Sequence, residues 1–145
     1  MTKRHTIRVR VYYEDTDAGG IVYHANYLRY FERARSEWLR ALSIDHRQLA
    51  ADGFALVVRD CSFQYHHPAR LDDTLQVDAE IGPAESDLRR ASVRFSQRAL
   101  RADDGQLLVS GLVRVACVFA ASGRPVAFPE NLYSRMSECT PGRNP

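Results

Sequence analysis

The residues most able to carry out chemistry lie between positions 12 and 37, in the segment YYEDTDAGGIVYHANYLRYFERARSE. An acidic cluster comes first, formed by Glu14, Asp15 and Asp17, and two glycines follow it, Gly19 and Gly20. His24 then stands at the start of a predicted amphipathic helix. The first turn of a helix has backbone N–H groups without partners, which carry a partial positive charge. A carboxylate beside such a turn can attack a carbonyl carbon, or activate water against it, while the N–H groups polarise the carbonyl oxygen.

The periodicity of apolar side chains predicts the elements that position these residues. Residues 6–13 alternate apolar and basic side chains, which is typical of a half-buried strand. From 25 to 42 the apolar side chains recur at helical spacing, which predicts one helix of about 27 Å. Further strands are predicted at 54–65, 74–81, 90–99 and 107–119. In the first of these, Val57, Cys61, Phe63 and Tyr65 are predicted to share one face, with Arg59 interrupting the pattern.

One strand, a long helix and four more strands joined by short turns indicate an α+β domain. We expect a curved antiparallel sheet wrapped around the helix, because antiparallel strands twist and the helix must bury its apolar face. The domain is expected to span residues 1–130, and 131–145 to form a partly disordered tail. Since an exposed edge strand can pair with a second copy, we expect at least a homodimer.

Composition narrows the class of protein. A chain of 145 residues fits one domain, and its net charge of +2 argues against a dedicated nucleic-acid binder. We find neither the apolar region of a signal peptide nor a run long enough to cross a membrane. Three widely spaced cysteines form no metal or disulfide pattern, so we expect a reducing cytoplasm, with Cys61 and Cys117 in the core.

Other candidate sites are weaker. His66 and His67 are adjacent, so in a strand they point to opposite faces, and no third ligand is spaced nearby; we expect no metal. Ser36 and Ser62 lack a nucleophile elbow. On the helix, Arg33, Arg35, Glu32 and Glu37 are spaced for ion pairs along one surface. Arg90, Arg94 and Arg98 form a basic stripe, which is either a solvated face or an attraction for coenzyme A phosphates, acidic proteins or a peripheral membrane contact.

The dozen residues TDAGGIVYHANY, at 16–27, closely resemble the signature of the hotdog-fold acyl-CoA thioesterases of the Tol–Pal-associated group, relatives of 4-hydroxybenzoyl-CoA thioesterase. PARLDD at 68–73 supports the resemblance, which covers about residues 7–130. It implies a hotdog fold, a homodimer or homotetramer with sites between subunits, and hydrolysis of acyl-CoA to a free acid and coenzyme A. Coenzyme A is then part of the substrate, and no cofactor is implied.

The resemblance also implies roles for single residues. Asp17 matches the catalytic carboxylate, as nucleophile or general base. His24 matches the position whose backbone N–H faces the thioester oxygen, with its imidazole as a second contribution. Gly19, Gly20, Val22 and Tyr23 are the implied substrate contacts, and the two glycines allow close approach to the backbone.

Two other functions stay open at this point. A hotdog hydratase or dehydratase would need a histidine and a carboxylate acting together on the acyl chain, and Glu32 is the one acidic residue in the helix that could partner His24. A non-catalytic binder of acyl thioesters or acyl carrier protein, in an envelope or lipid-synthesis complex, would not need Asp17. The sequence does not distinguish coenzyme A from acyl carrier protein as the thiol carrier, nor does it define the acyl group.

Overall fold

The computed structural model describes residues 4–82 and 91–139. Strand β1 (His5–Arg10) is followed by helix α1 (Tyr27–Ala41) and a short helix, α2 (His46–Ala51). Four strands and a last helix come next: β2 (Phe54–Tyr65), β3 (Thr74–Ile81), β4 (Ser92–Arg101), β5 (Leu107–Phe119) and α3 (Glu130–Ser137). Single 3-10 turns at Tyr13–Asp15 and His24–Asn26 flank the loop that connects β1 to α1.

The strands form one antiparallel sheet in the order β1-β3-β4-β5-β2. Helix α1 packs mainly against β1 and β3 and, apart from aromatic contacts with β2, leaves most of the half of the sheet nearer β2 uncovered. The α+β prediction, with a curved antiparallel sheet around one long helix, is confirmed. Every predicted strand is present, and β2, β3 and β5 have the predicted bounds.

Helix α1 forms because its aromatic and small side chains repeat on one face. Tyr30, Phe31 and Ala34 are fully buried there, and Trp38 meets Phe95 of β4 edge to face, with 5.1 Å between ring centroids. Phe31 also stacks on Phe63 of β2 at 5.0 Å. Such aromatic pairs contribute about 0.5–1.5 kcal/mol each beyond the burial of their area. The helix is thereby held at a defined distance from the sheet, with its first turn at the catalytic candidates.

A β-bulge changes the predicted faces of β2. The register shifts at Arg59, so that Val58 pairs with Val115 and Cys61 pairs with Val113. Cross-strand partners lie on one face, so Val58 and not Val57 shares the inner face with Cys61. Cys61 itself is exposed, and its predicted place in the core was wrong because α1 does not cover this part of the sheet. Cys117 is buried, as predicted.

The chain contains two helices that the periodicity did not predict. Asp45 caps the six-residue α2 by accepting from the N–H groups of Arg47 and Gln48. Helix α3 crosses the boundary expected near residue 130 and buries Leu132 and Met136 in the core, so the described residues beyond 130 pack as helix where a tail was expected. Residues 140–145 lie outside the described residues. Among the residues that are described, no helix combines the length and apolar character needed to cross a bilayer.

Candidate active site

Asp17 lies in a tight hairpin that connects β1 to α1. Thr16 and Val22 pair as an antiparallel bridge, and the Asp17 N–H donates to the carbonyl oxygen of Ile21 at 2.9 Å. The turn is closed by the Gly20 N–H, which donates to the Asp17 carbonyl oxygen at 3.0 Å. The hairpin is fastened to the body of the protein by Val22, whose N–H donates to Ala69. Asp17 is exposed to solvent, but these hydrogen bonds fix the position of its loop.

The two glycines of the hairpin, Gly19 and Gly20, have different structural roles. Gly20 has a φ of +78°, in the left-handed region that favours glycine. Gly19 donates its N–H to Oδ1 of Asp17 at 2.8 Å, and a Cβ at Gly19 would lie 3.2 Å from that oxygen. Gly19 thus leaves room for the carboxylate to turn back over the backbone. Among the described residues, the second oxygen of Asp17, Oδ2, accepts no hydrogen bond, so it is available to water or a substrate.

Asp15 supports the other side of the loop. Its Oδ2 accepts from the Tyr12 N–H at 2.9 Å, and its Oδ1 accepts from Nδ2 of Asn26 at 3.0 Å. The Asp15 carbonyl oxygen accepts from the Tyr23 N–H, also at 2.9 Å. Both of its side-chain oxygens are thus used to join the loop to the helix start. Of the acidic cluster, Asp15 is structural, whereas Asp17 retains a free oxygen.

His24 begins the helical segment with a 3-10 turn, and α1 proper begins at Tyr27. No side chain caps this turn, and within the described part of the chain the N–H groups of His24 and Ala25 have no protein acceptor. The Tyr23 carbonyl oxygen accepts from the Asn26 N–H at 2.8 Å, which orients the peptide that carries the His24 N–H. A row of oriented, unpaired N–H groups is the arrangement that can stabilise an oxyanion.

Tyr65 is a residue of this site that the sequence reasoning missed. Its hydroxyl donates to the His24 carbonyl oxygen at 3.0 Å and so links β2 to the helix start. The rings of Tyr65 and Tyr27 meet at 5.9 Å. Burial raises the pKa of Tyr27 to about 12, so this phenol is neutral near pH 7. The sequence feature that could have indicated Tyr65 is its position, because it ends a predicted strand immediately before the segment 66–70, which interrupts the strand pattern.

The remaining predicted contacts are divided between surface and core. Tyr23 is 49% exposed and its ring lies against that of His24, with 4.6 Å between centroids. Val22 is 4% exposed and packs in the hydrophobic core, so its backbone rather than its side chain lies at the hairpin surface. The structure therefore brings Asp17, Gly19 and Gly20 together on one turn and leads the return strand directly into the turn at His24.

The other polar candidates have structural partners. Arg98 holds the buried Asp78 through Nε at 2.9 Å and Nη2 at 2.7 Å, so it is not a simple solvated residue of the basic stripe. Arg90 lies outside the described residues. His66 contacts the Ser110 hydroxyl at 2.9 Å, and His67 contacts the Leu107 carbonyl oxygen at 3.3 Å.

The ion pairs predicted among Arg33, Arg35, Glu32 and Glu37 do not form within the described residues, and Glu37 pairs instead with a residue outside that set. Arg40 pairs with Glu37, and the Arg33 guanidinium lies over the Tyr30 ring at 6.0 Å. Arg35 does not pair with a carboxylate among the described residues: its Nη1 donates to Oε1 of Gln97 at 2.9 Å. The reason is burial, because Arg35 lies on the side of α1 that faces the sheet and Gln97 is the polar group on that face of β4.

Known proteins resemble this chain in both sequence and fold. The model of the family described as "Thioesterase-like superfamily" matches residues 11–136. The acyl-CoA thioesterase YbgC of Haemophilus influenzae is 45% identical over 125 residues, covering 86% of this chain and 88% of that protein. The acyl-CoA thioester hydrolase YbgC of Escherichia coli O6:H1 is 42% identical over 130 residues, and the alignment covers 90% of this chain and 93% of that protein.

A solved structure shows the same fold at lower identity. It is Slr0204, a 1,4-dihydroxy-2-naphthoyl-CoA thioesterase from Synechocystis, which superposes with a TM-score of 0.81 at 23% identity. The alignment covers 92% of this chain and 96% of that one. The range matched by the family model, residues 11–136, includes α1 and the hairpin that carries Asp17. The chain therefore belongs to the thioesterase-like superfamily, as a thioester hydrolase with the hotdog fold.

Proposed function

We propose that this protein hydrolyses acyl-CoA thioesters to a free carboxylic acid and coenzyme A, with Asp17 as the catalytic carboxylate. The observation that carries the proposal is the free Oδ2 of Asp17 on a turn that leads into the unpaired N–H groups of His24 and Ala25. Hydrolysis of a thioester requires both the carboxylate and the N–H donors, since the carbonyl carbon must be attacked while negative charge develops on the carbonyl oxygen. The curated YbgC relatives, which are named as acyl-CoA thioesterases, support the substrate class.

Asp17 can act by either of two mechanisms. As a general base it takes a proton from water, the hydroxyl oxygen bonds to the carbonyl carbon, and the C–S bond breaks to release the thiolate of coenzyme A, which is then protonated. As a nucleophile its oxygen bonds to the carbonyl carbon, the thiolate leaves, and water hydrolyses the resulting anhydride. A single turnover in ¹⁸O-labelled water can identify the nucleophilic route, because only attack of water on the aspartyl carbon of the anhydride places the label in the Asp17 peptide.

Asp17→Asn tests the proposal most directly. Asn retains an oxygen for the Gly19 N–H, so the hairpin should be preserved while the negative charge is lost. We expect turnover of acyl-CoA to fall by about 10²–10⁴-fold with an unchanged melting temperature. Glu14→Gln is the matched control, because it removes an exposed carboxylate from the same loop, and it should keep full activity. Near-normal hydrolysis by Asp17→Asn would exclude Asp17 as the catalytic carboxylate.

The same assay separates the other activities considered. An enoyl-CoA offered beside a saturated acyl-CoA would be hydrated by a hotdog hydratase and hydrolysed by a thioesterase. Equal binding of acyl carrier protein by wild type and Asp17→Ala, with turnover by neither, would favour a non-catalytic binder. Comparing coenzyme A with acyl carrier protein as the thiol carrier, across a series of acyl groups, would define the substrate.

The role proposed for His24 concerns its backbone first. Its N–H is the proposed oxyanion donor, and any residue except proline retains that group. His24→Ala should therefore reduce turnover less than Asp17→Asn does, by about tenfold or less. A loss as large as that of Asp17→Asn would assign the main contribution to the imidazole instead.

We further propose a homodimer, with pairing again to a homotetramer as the alternative. β2 is an edge strand, and its apolar side chains remain in contact with solvent: Val57 is 40% exposed, Val58 50% and Tyr65 50%. A long, apolar edge is an aggregation hazard unless another strand covers it. Antiparallel pairing of two β2 strands would bury this edge and place the acyl group between α1 and the partner's sheet. Replacing Val57 and Val58 by lysine should yield a monomer in sedimentation, and an unchanged mass would contradict pairing through β2.

The cellular location and the association with the Tol–Pal group are proposed from the sequence motif and the cysteines. The TDAGGIVYHANY motif supports the Tol–Pal-associated group and kinship with 4-hydroxybenzoyl-CoA thioesterase. Cys61 and Cys117 form no disulfide among the described residues, which suits a reducing cytoplasm. Co-purification of the tagged protein with envelope components, compared with its recovery from the cytosolic fraction, would test both proposals.

A further inference from the structure

A second concave site lies on the side of α1 that faces β2. The cavity has a volume of about 440 Å³, between α1, α2 and the uncovered half of the sheet. This size is typical of small-molecule sites. Most of its wall is apolar, including Leu39, Leu49, Phe54, Leu56, Phe95 and Met136.

One cation lies in this apolar wall. Arg35 is partly buried, and its Nη1 donates to Oε1 of Gln97 at 2.9 Å. Gln97 is fully buried, and its Nε2 donates to the carbonyl oxygens of Phe31 at 3.0 Å and Asp78 at 3.1 Å. Every polar atom of the Gln97 side chain is thus used, which fixes the orientation of its oxygen. Gln97 therefore orients the Arg35 guanidinium, whose other N–H groups donate no hydrogen bond to any described residue.

The positive charge of Arg35 is not neutralised by an ion pair within residues 4–82 and 91–139. Glu32 also lines the cavity, but it is exposed to solvent and attracts Arg35 only across a distance. Burial outweighs that attraction and lowers the pKa of Arg35. Ser36 and His46 are the other polar residues of the wall. A partly desolvated guanidinium with spare donors is suited to a carboxylate, which it can bind through paired hydrogen bonds.

This cavity is separate from the Asp17 hairpin. Along α1, Tyr27 and Phe31 lie between the helix start and Arg35, and they contact Tyr65 and Phe63 of β2. These two aromatic pairs bridge the helix and the strand. None of residues 17–24 lines the cavity. Within one subunit, a ligand on Arg35 therefore lies apart from a thioester at Asp17.

We propose that this cavity binds a medium-chain free carboxylic acid, with its carboxylate on Arg35 and its alkyl chain along the apolar wall. The charge and the lining indicate the ligand class, because Arg35 offers a cation bound to Gln97 and most of the remaining wall is apolar, apart from Glu32, Ser36 and His46. If the proposed function is correct, such an acid belongs to the class of the reaction's product, and the site would bind product away from Asp17. The binding itself does not depend on the reaction.

Titration calorimetry of the purified wild-type protein with decanoate and with decan-1-ol tests the cation. Decanoate should bind roughly tenfold or more tightly than the alcohol, because a hydrogen bond to a charged group is stronger than one between neutral groups. Arg35→Met should remove this preference while retaining weak binding of the alcohol. Equal affinities of wild type for the two compounds, or no binding of decanoate, would overturn the proposal.

Two further variants keep the test decisive if Arg35→Met does not fold. Leu49→Trp, on the short helix α2, should fill the cavity and weaken decanoate binding by at least about tenfold. Asp17→Asn should leave decanoate binding unchanged, which distinguishes this site from the thioester site. Unchanged binding in Leu49→Trp, or weakened binding in Asp17→Asn, would show that decanoate binds elsewhere. Loss of turnover in Asp17→Asn with intact decanoate binding would leave both proposals standing.

Discussion

The hydroxyl of Tyr65 donates a 3.0 Å hydrogen bond to the carbonyl oxygen of His24 and so joins the end of β2 to the first turn of the helical segment. That carbonyl and the Ala25 N–H belong to the same peptide group. Holding the oxygen fixes the plane of the peptide and polarises its N–H, which makes the N–H a better donor. A residue 41 positions away in the chain thereby orients the proposed oxyanion site.

Tyr65→Phe should therefore affect catalysis more than stability. A typical hydrogen bond contributes about 0.5–1.5 kcal/mol to folding, and half of the Tyr65 side chain is exposed, so the loss of stability should lie at the low end. We expect kcat to fall by about three- to tenfold, since the donors remain but are less well oriented. Tyr13→Phe, which removes the hydroxyl of an 81% exposed tyrosine nearby, is the control. Equal kcat values for the two variants would deny Tyr65 a positioning role.

The two glycines of the hairpin should respond differently to alanine. Gly20→Ala places a Cβ at φ +78°, which costs about 1–2 kcal/mol, although no atom lies within 4 Å of the added carbon. Gly19→Ala places a Cβ 3.2 Å from Oδ1 of Asp17, which must then move by a few tenths of an ångström. We expect a lower melting temperature for Gly20→Ala and a lower kcat, at near-normal stability, for Gly19→Ala. Kinetics and thermal unfolding of both variants check this, and the reverse assignment would contradict it.

Asp15 and Asn26 should be coupled in stability. The bond between them, 3.0 Å long, joins the loop to the helix start, and Asp15 also accepts from the Tyr12 N–H. Asp15→Ala should cost about 1–3 kcal/mol, because it leaves both donors without their acceptor. Asn26→Ala should cost less. A double-mutant cycle measured by urea unfolding should give a coupling energy of about 0.5 kcal/mol or more, and strict additivity would show that the contact contributes nothing.

The sequence predicted the elements well because both periodicities were strong. Three strands have their predicted bounds, and α1 begins only after a 3-10 turn that replaces its expected first residues. Only Val57 was placed incorrectly on the inner face of β2, because the bulge at Arg59 reverses the alternation there. Arg59 does interrupt the apolar pattern in the sequence, but one charged residue does not by itself identify a bulge. Helix α2 is too short for its periodicity to be recognised, and it depends on the cap at Asp45.

The candidate site was predictable only in part, for a physical reason. The carboxylate, the glycines and the helix start are close in sequence, so a local pattern contains them. The contacts of Tyr65, Gln97 and Arg98 join residues far apart in the chain, and only the sheet brings them together. One signal was present for Gln97, because it occupies the same alternating face of β4 as Val93 and Phe95. A polar residue on such a face requires buried partners, and Arg35 is one of them.

The ionisation of Tyr27 should make stability fall at alkaline pH. Burial is the main cause that raises the pKa of this phenol from 10.0 to about 12, opposed by a hydrogen bond from the backbone of Ala69. Below pH 10.0 Tyr27 is neutral in both folded and unfolded chains, so its contribution is fully present. As the pH rises towards 12, the unfolded chain loses this proton first, and the contribution is lost.

Each unit of difference in pKa corresponds to about 1.4 kcal/mol, so the loss attributable to Tyr27 should reach roughly 2–3 kcal/mol. Burial also raises the pKa of Tyr30, so the decline in the wild type has more than one source. The contribution of Tyr27 is therefore measured as a difference: the free energy of unfolding of Tyr27→Phe should decline less steeply with pH than that of the wild type. Tyr13→Phe, which removes the hydroxyl of an 81% exposed tyrosine, is the matched control. Parallel curves for Tyr27→Phe and wild type would mean that Tyr27 titrates alike in the folded and unfolded chains.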